Sequence, residues 1–190
     1  GLNWVEDHGR YLRGGIGYYV VIGVDYPSDD LSPREDAKAV YKHLFDENQL
    51  AGMGRLLISE EGKNVWGPPT RVEIMDAIEE AKKSATTRDY LVIYFSGNSA
   101  VNMLKDSNGE EITDSELEGW VRGFPGSVTL ILDGHESQSF VDGGVLAQAF
   151  EKYDYTVLGG TLKNQESRLA QGKALSWFTY NLLAGILTRE

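Results

Sequence analysis

The chain has 190 residues, 41% of them hydrophobic, which suits one domain built on one core. Asp and Glu number 29 against 18 Lys and Arg, a net charge of −11, so a nucleic-acid surface is not expected and a basic partner is permitted. The chain has no Cys, which excludes disulfides, thiolate metal sites and thiol nucleophiles, and no apolar run approaches the ~20 residues of a membrane span. With no secretory signal visible in the first residues, a cytoplasmic setting is the simplest expectation.

Residues 1–16 read as an N-terminal arm, in which Trp4, Val5, Tyr11 and Leu12 are mixed with charges, and residues 17–190 as the folded domain. Gly14, Gly15 and Gly17 lead into YYVVIGVDY, an apolar run fit for a strand buried on both faces. These glycines neither follow a strand nor open a helix, as a dinucleotide fingerprint requires, and no cofactor is expected. Pro33 suits a first helical position with Ser32 as its cap. The helix over about 33–46 carries the stripe Ala37, Val40, Tyr41, Leu44 and Phe45. GRLLIS reads as a second strand, followed by a loop over 62–69. Thr70-Arg71-Val72-Glu73 forms a capping box that opens a helix with the stripe Ile74, Ala77, Ile78 and Ala81.

DYLVIYFSGNS, Asp89 to Ser99, is a third strand. Residues 102–112 read as a polar loop with a turn at Asn108-Gly109. Thr113-Asp114-Ser115-Glu116 is a second capping box, leading a helix with Leu117, Trp120, Val121 and Phe124 on one face. SVTLILD, Ser127 to Asp133, is the next strand and ends in small and polar residues. A short helix over about 143–153, a fifth strand at TVLGG, a polar loop over 161–173 and a last helix carrying Leu175, Phe178, Leu182, Leu183, Ile186 and Leu187 complete the order. Strands alternating with helices predict a mainly parallel sheet covered on both faces. The Ser127–Asp133 strand is expected at the centre of that sheet, between the strands ending near Phe95 and near Gly159.

In such sheets, ligands and catalytic groups sit at the carboxyl ends of the strands. Two tips are therefore singled out: Ser96-Gly97-Asn98 and Asp133-Gly134-His135. A strand ending FSG, followed by a strand ending in Asp, resembles the caspase-like cysteine peptidases, most closely the metacaspase and orthocaspase branch. In that family the first tip reads Ser-Gly-His-Gly and carries the His; the second reads Asp-x-Cys-His-Ser-Gly and carries the nucleophile. Here Ser96, Gly97, Asp133 and Ser137 match, while Asn98 stands at the His position and His135 at the Cys position. LSPREDAKAV resembles the start of the family's first helix, and Gln165-Glu166 with FTYNLL its C-terminal segment, so the resemblance spans about residues 17–188.

The resemblance implies a caspase-like three-layer α/β sandwich and a pseudo-peptidase, whose degenerate dyad positions are Asn98 and His135. It also implies that Asp36 and Asp133 line a pocket for a substrate Arg or Lys. Two carboxylates around a dry pocket favour a guanidinium or ammonium. For each residue alone there is a plainer account: Asp36 sits favourably near a helix N-terminus, and Asp133 is placed to accept from loop amides. Two alternatives stand beside the pseudo-peptidase. One is a hydrolase using Ser96, Ser99, Ser137 or Ser139 with His135 and Asp133; the other is a structural domain of a larger protein with a vestigial site. The expected partner is a protein or peptide carrying a basic residue. His8 and His43 do not form a zinc set. Asp106, Glu110, Glu111 and Asp114 lack the ligand spacing of a calcium loop and read as a solvated turn.

Overall fold

The computed structural model describes residues 15–25, 32–47, 52–134 and 155–159, together with Thr179, Leu182 and Leu183. The arm over 1–14, the helix expected over 143–153, the loop over 161–173, most of the last helix, and His8, His135, Ser137, Ser139, Gln165 and Glu166 lie outside them.

The apolar runs become a sheet of six strands: β1 (Gly17–Gly23), β2 (Gly52–Leu57), β3 (Val65–Gly67), β4 (Tyr90–Ser96), β8 (Ser127–Asp133) and β9 (Tyr155–Gly159). Their order is β3-β2-β1-β4-β8-β9, and every pairing is parallel. The Ser127–Asp133 strand lies between β4 and β9 as expected, but one strand in from the edge rather than at the centre, which β1 and β4 occupy. A strand flanked by two neighbours is paired on both sides wherever it sits, so its apolar run does not fix its rank in the sheet. Three α-helices are described: α1 (Pro33–Tyr41), α2 (Arg71–Ser84) and α3 (Asp114–Val121). Strand alternation divides the core between the two faces. Val20, Ile22, Leu91, Ile93, Phe95, Val128, Leu130 and Leu132 pack with α2 and α3. Tyr19, Val21, Val92, Tyr94 and Ile131 pack with α1 and with Leu182 and Leu183 of the C-terminal helix. The molecule is thus an α/β sandwich with helices on both faces of a parallel sheet.

Several local expectations are corrected. Helix α1 starts at Pro33, but Ser32 makes no side-chain cap. The Asp25 carboxylate accepts from the Arg34 amide at 2.9 Å instead, so the N-terminal donor is satisfied from the end of β1. The helix expected to run to about 46 changes at Lys42 into a π-helix, Lys42–Glu47. Within the loop expected over 62–69, Val65–Gly67 pairs with β2 through a β-bulge.

The polar loop expected over 102–112 is instead part of a three-stranded antiparallel sheet, β5 (Ser99–Ala100), β6 (Met103–Lys105) and β7 (Glu111–Thr113). Nor is its Asp106 a solvated residue: it is 3% exposed. Its carboxylate accepts from the amides of Asn108 and Glu110, both at 2.8 Å, and from the Arg71 amide at the start of α2, also at 2.8 Å. The Thr113 capping box forms in both directions. The Thr70 box forms only its forward bond, Glu73 N–H to Thr70 Oγ1.

Candidate functional site

Strand β1 leads through α1 to β2 on one side, while β4 pairs with β1 on the other. The strand order therefore reverses between β1 and β4, and a crevice opens at their carboxyl ends. The register aligns the tips there: Gly23 pairs with Ser96, and Ser96 with Asp133. Two backbone bonds tie them, Val24 N–H to the Ser96 carbonyl at 2.8 Å and Gly97 N–H to the Asp133 carbonyl at 3.0 Å. Gly134 lets the two tips approach, since a Cβ there would meet Ser99 Oγ at 2.3 Å and the Gly97 carbonyl oxygen at 2.5 Å.

Alternation puts Tyr94, Ser96 and Asp133 on the face covered by α1. Gly23 lets α1 settle onto the end of β1, because a Cβ at that position would lie 2.8 Å from the Ala37 Cβ. Outside, Arg34 pairs with Asp25 and Glu60, and Lys38 with Glu35 and Glu60, holding the helix to the ends of β1 and β2. These pairs are half exposed and add little stability each. Their effect is to orient α1.

With α1 so placed, Asp36 faces inward. It is 2% exposed, and Ser96 Oγ donates to its Oδ2 at 2.8 Å. Asp133 is 1% exposed, and Thr179 Oγ1 donates to its Oδ2 at 2.9 Å. Thr179 also hydrogen-bonds the Tyr94 hydroxyl, and both residues are fully buried. Burial raises the Tyr94 hydroxyl well above the ordinary tyrosine pKa, and the nearby charges of Asp133 and Asp36 push it further the same way. The structure therefore brings Asp36 and Asp133 around one buried cluster of three hydroxyls.

Asn98 is half-buried just beyond Ser96, and its carbonyl accepts from the Lys105 amide at 2.9 Å. His135, the other position that the resemblance singles out, lies outside the described residues, as do Ser137 and Ser139. Of the remaining serines, Ser96 gives its proton to a carboxylate and Ser99 is buried. The acidic loop offers a cation little, because the Asp106 oxygens already accept three amides. Among the described residues, no group of three His, Cys, Asp or Glu could hold a metal ion.

Two members of the cluster escape a reading of the sequence. Tyr94 passes as one apolar residue in a strand, although it shares the Ser96 face. Thr179 is the stronger signal: a hydroxyl on the apolar side of the last helix, one turn from Leu183.

No protein-family model matches the chain, and no curated protein matches it. Among solved structures, the chain is similar to the crystal structure of protein GSU0716 from Geobacter sulfurreducens, with 17% identity and a TM-score of 0.56. The match covers 89% of this chain and 81% of that one, and at this identity it bears on the fold alone.

Proposed function

We propose that this chain is a catalytically inactive homologue of the caspase-like peptidases, of the metacaspase and orthocaspase branch. In this reading it binds a protein or peptide through an Arg or Lys side chain without cutting it. The observation that supports the reading most is the meeting of Asp36 and Asp133 around Ser96, Tyr94 and Thr179, where the strand order reverses. Coulombic attraction grows as water is excluded, and a guanidinium can bond carboxylates through two parallel donors. Two carboxylates around one site also repel, and a bound cation relieves that repulsion.

The chemistry of cleavage needs a thiolate and a base. Asn98 takes up no proton, and His135 stands where the family carries its thiol. Binding is therefore the function left to the site.

The test is a titration of matched peptides containing Arg, Lys or norleucine against the wild type and Asp36→Asn. Arg and Lys peptides should bind the wild type better than norleucine, and Asp36→Asn should remove the advantage. Equal binding of norleucine defeats the reading. In a cleavage assay the wild type should show no turnover with basic or acidic P1 residues, with or without calcium. His135→Cys alone should not restore cleavage, since Asn98 still supplies no base, whereas Asn98→His with His135→Cys has both groups.

One observation favours a second reading, a structural domain with a vestigial site. Both carboxylates are nearly closed to solvent, and each already accepts from a hydroxyl. Under that reading no peptide distinguishes Arg from norleucine. The alternative of a serine hydrolase gains nothing from Ser96, which donates to Asp36.

A further inference from the structure

We propose a second binding site, away from the strand tips of β4 and β8: the cavity at the carboxyl ends of β2 and β3, with Trp66 and Glu61 in its wall, takes an arginine side chain and an adjoining apolar residue from an extended segment of a partner protein. The cavity measures about 560 Å³. One wall is the chain that leaves β2, Ile58 to Gly62, and the other is β3 with Pro68. Neither Asp36 nor Asp133 lines it, so the inference does not rest on the basic-pocket reading.

The ring is the first sign. Trp66 is 53% exposed, although tryptophan is highly buried on average and is enriched where proteins meet. It is also held in place. The Arg55 guanidinium stacks over the ring at 3.9 Å, and it donates to the Gly54 carbonyl at 3.0 Å and to Glu80 of α2 at 3.1 Å. Arg55 is not part of the cavity wall, so this stacking steadies the ring and leaves the cavity clear. Strand β3 is fixed in turn. Ile58 N–H donates to the Gly67 carbonyl and Val65 N–H to the Gly62 carbonyl, both at 3.1 Å. A ring already held loses little freedom when a partner packs on it.

Charge is the second sign. Two carboxylates lie in the wall and no basic side chain does. Glu60 is already shared by Arg34 and Lys38. Glu61 is exposed and makes no hydrogen bond or ion pair among the described residues. A ring beside a free carboxylate suits a cation, through stacking and a charge-assisted hydrogen bond. A guanidinium makes both contacts with one planar group and sheds its water more easily than an ammonium. Ile58 and Val65 give the cavity a hydrocarbon floor for the adjoining residue. Ser59, Glu61, Gly62, Trp66 and Pro68 are all exposed, so the mouth is wide. It would leave a free small molecule largely wet, whereas an extended chain crosses it. The net charge of −11 draws a basic partner from a distance.

The probe is a short capped peptide in which Arg adjoins Leu, with twins carrying norleucine for Arg or Ser for Leu. Each is titrated against the full chain, and the indole N–H of Trp66, identified with Trp66→Phe, is followed by NMR. The Arg–Leu peptide should move that signal saturably. The norleucine twin should bind about ten-fold more weakly, the loss expected for a hydrogen bond to a charged group, and the Ser twin should also bind more weakly. Glu61→Gln should lower the Arg–Leu peptide to the level of the norleucine twin. In Trp66→Ala the Gly62 amide should no longer respond. Salt should weaken binding in wild type more than in Glu61→Gln.

A Trp66 signal that does not move, equal binding of the norleucine twin, or undiminished binding in Glu61→Gln overturns the proposal. Arginine bound at the strand tips instead would move the Ser96 and Gly97 amides and survive Glu61→Gln. Shifts confined to those amides defeat this site and leave the basic pocket standing; shifts confined to Trp66 and Gly62 uphold this site and count against the pocket. If Trp66→Ala does not fold without its Arg55 contact, Glu61→Gln decides, since an exposed and unpaired carboxylate is not needed for the fold.

Discussion

Two acidic centres in this molecule are buried to a similar degree and built from different donors. Asp106, between β6 and β7, is held by three backbone amides, one of them the first N–H of α2. Close by, Glu116 closes a capping box with Thr113 and receives the Arg71 guanidinium, which also donates to the Glu111 carbonyl and lies over the Trp120 ring. Asp36 and Asp133 accept from side chains, the hydroxyls of Ser96 and Thr179. Amide donors belong to the chain path, and removing their acceptor leaves buried N–H groups unpaired. Hydroxyl donors are side chains that can rotate towards a different acceptor. The first arrangement welds the small antiparallel sheet to α2. The second brings side-chain hydroxyls from separate segments of the chain onto the two carboxylates.

The comparison predicts a graded set of losses. Asp106→Ala should be the most damaging, at about 3 kcal/mol, because three amides, one of them the first N–H of α2, lose their shared acceptor. Chemical denaturation measures it, and a loss below about 1 kcal/mol would erase the contrast between the two centres. Asp36→Asn keeps an oxygen for Ser96 and removes one of two neighbouring charges. Its stability should stay within about 1 kcal/mol of wild type, while binding of an Arg peptide falls about ten-fold. A large loss of stability there would make Asp36 a structural residue like Asp106.

A smaller effect is expected from Glu116. The Arg71 guanidinium, then the Thr113 amide, lower its carboxyl pKa to about 2 from the ordinary 4.5. A pKa depressed by folding gives stability that is complete above the unfolded value and disappears as pH falls through the folded one. The thermal midpoint should therefore decline between about pH 4.5 and pH 2, and more gently in Glu116→Gln. Identical declines in the two proteins would remove Glu116 from the account. Its side chain is 35% exposed, so salt should weaken the effect. The smallest effect is that of calcium, which should leave the melting temperature unchanged because the Asp106 oxygens are already engaged.

The sheet was legible in the sequence because burial on both faces leaves an unbroken apolar run, as in Val20–Ile22, Leu91–Ile93 and Leu130–Leu132. The helices showed in their stripes, and the tips in the abrupt change from apolar to small polar residues. What escaped was built from elements of two or three residues, too short for any period to register. The β6–β7 hairpin did carry a signal: Asn108-Gly109 is a strong turn pair, and Gly109 adopts φ +76°. Leu104 and Ile112, directly opposed in the register, are its buried pair. The site was half legible. Asp36 and Asp133 came from a family resemblance. The hydroxyls that hold them come from chain segments that only the fold brings together, since Thr179 and Asp133 are 46 residues apart.

The most direct test of the central claim measures binding and cleavage in one sample. An Arg-containing peptide and its norleucine twin are incubated with the full chain, the bound fraction is read by calorimetry, and the recovered peptide is weighed by mass spectrometry. The account predicts that the Arg peptide binds at least about ten-fold tighter and is recovered intact. A cleaved peptide, or equal binding of the two, contradicts it.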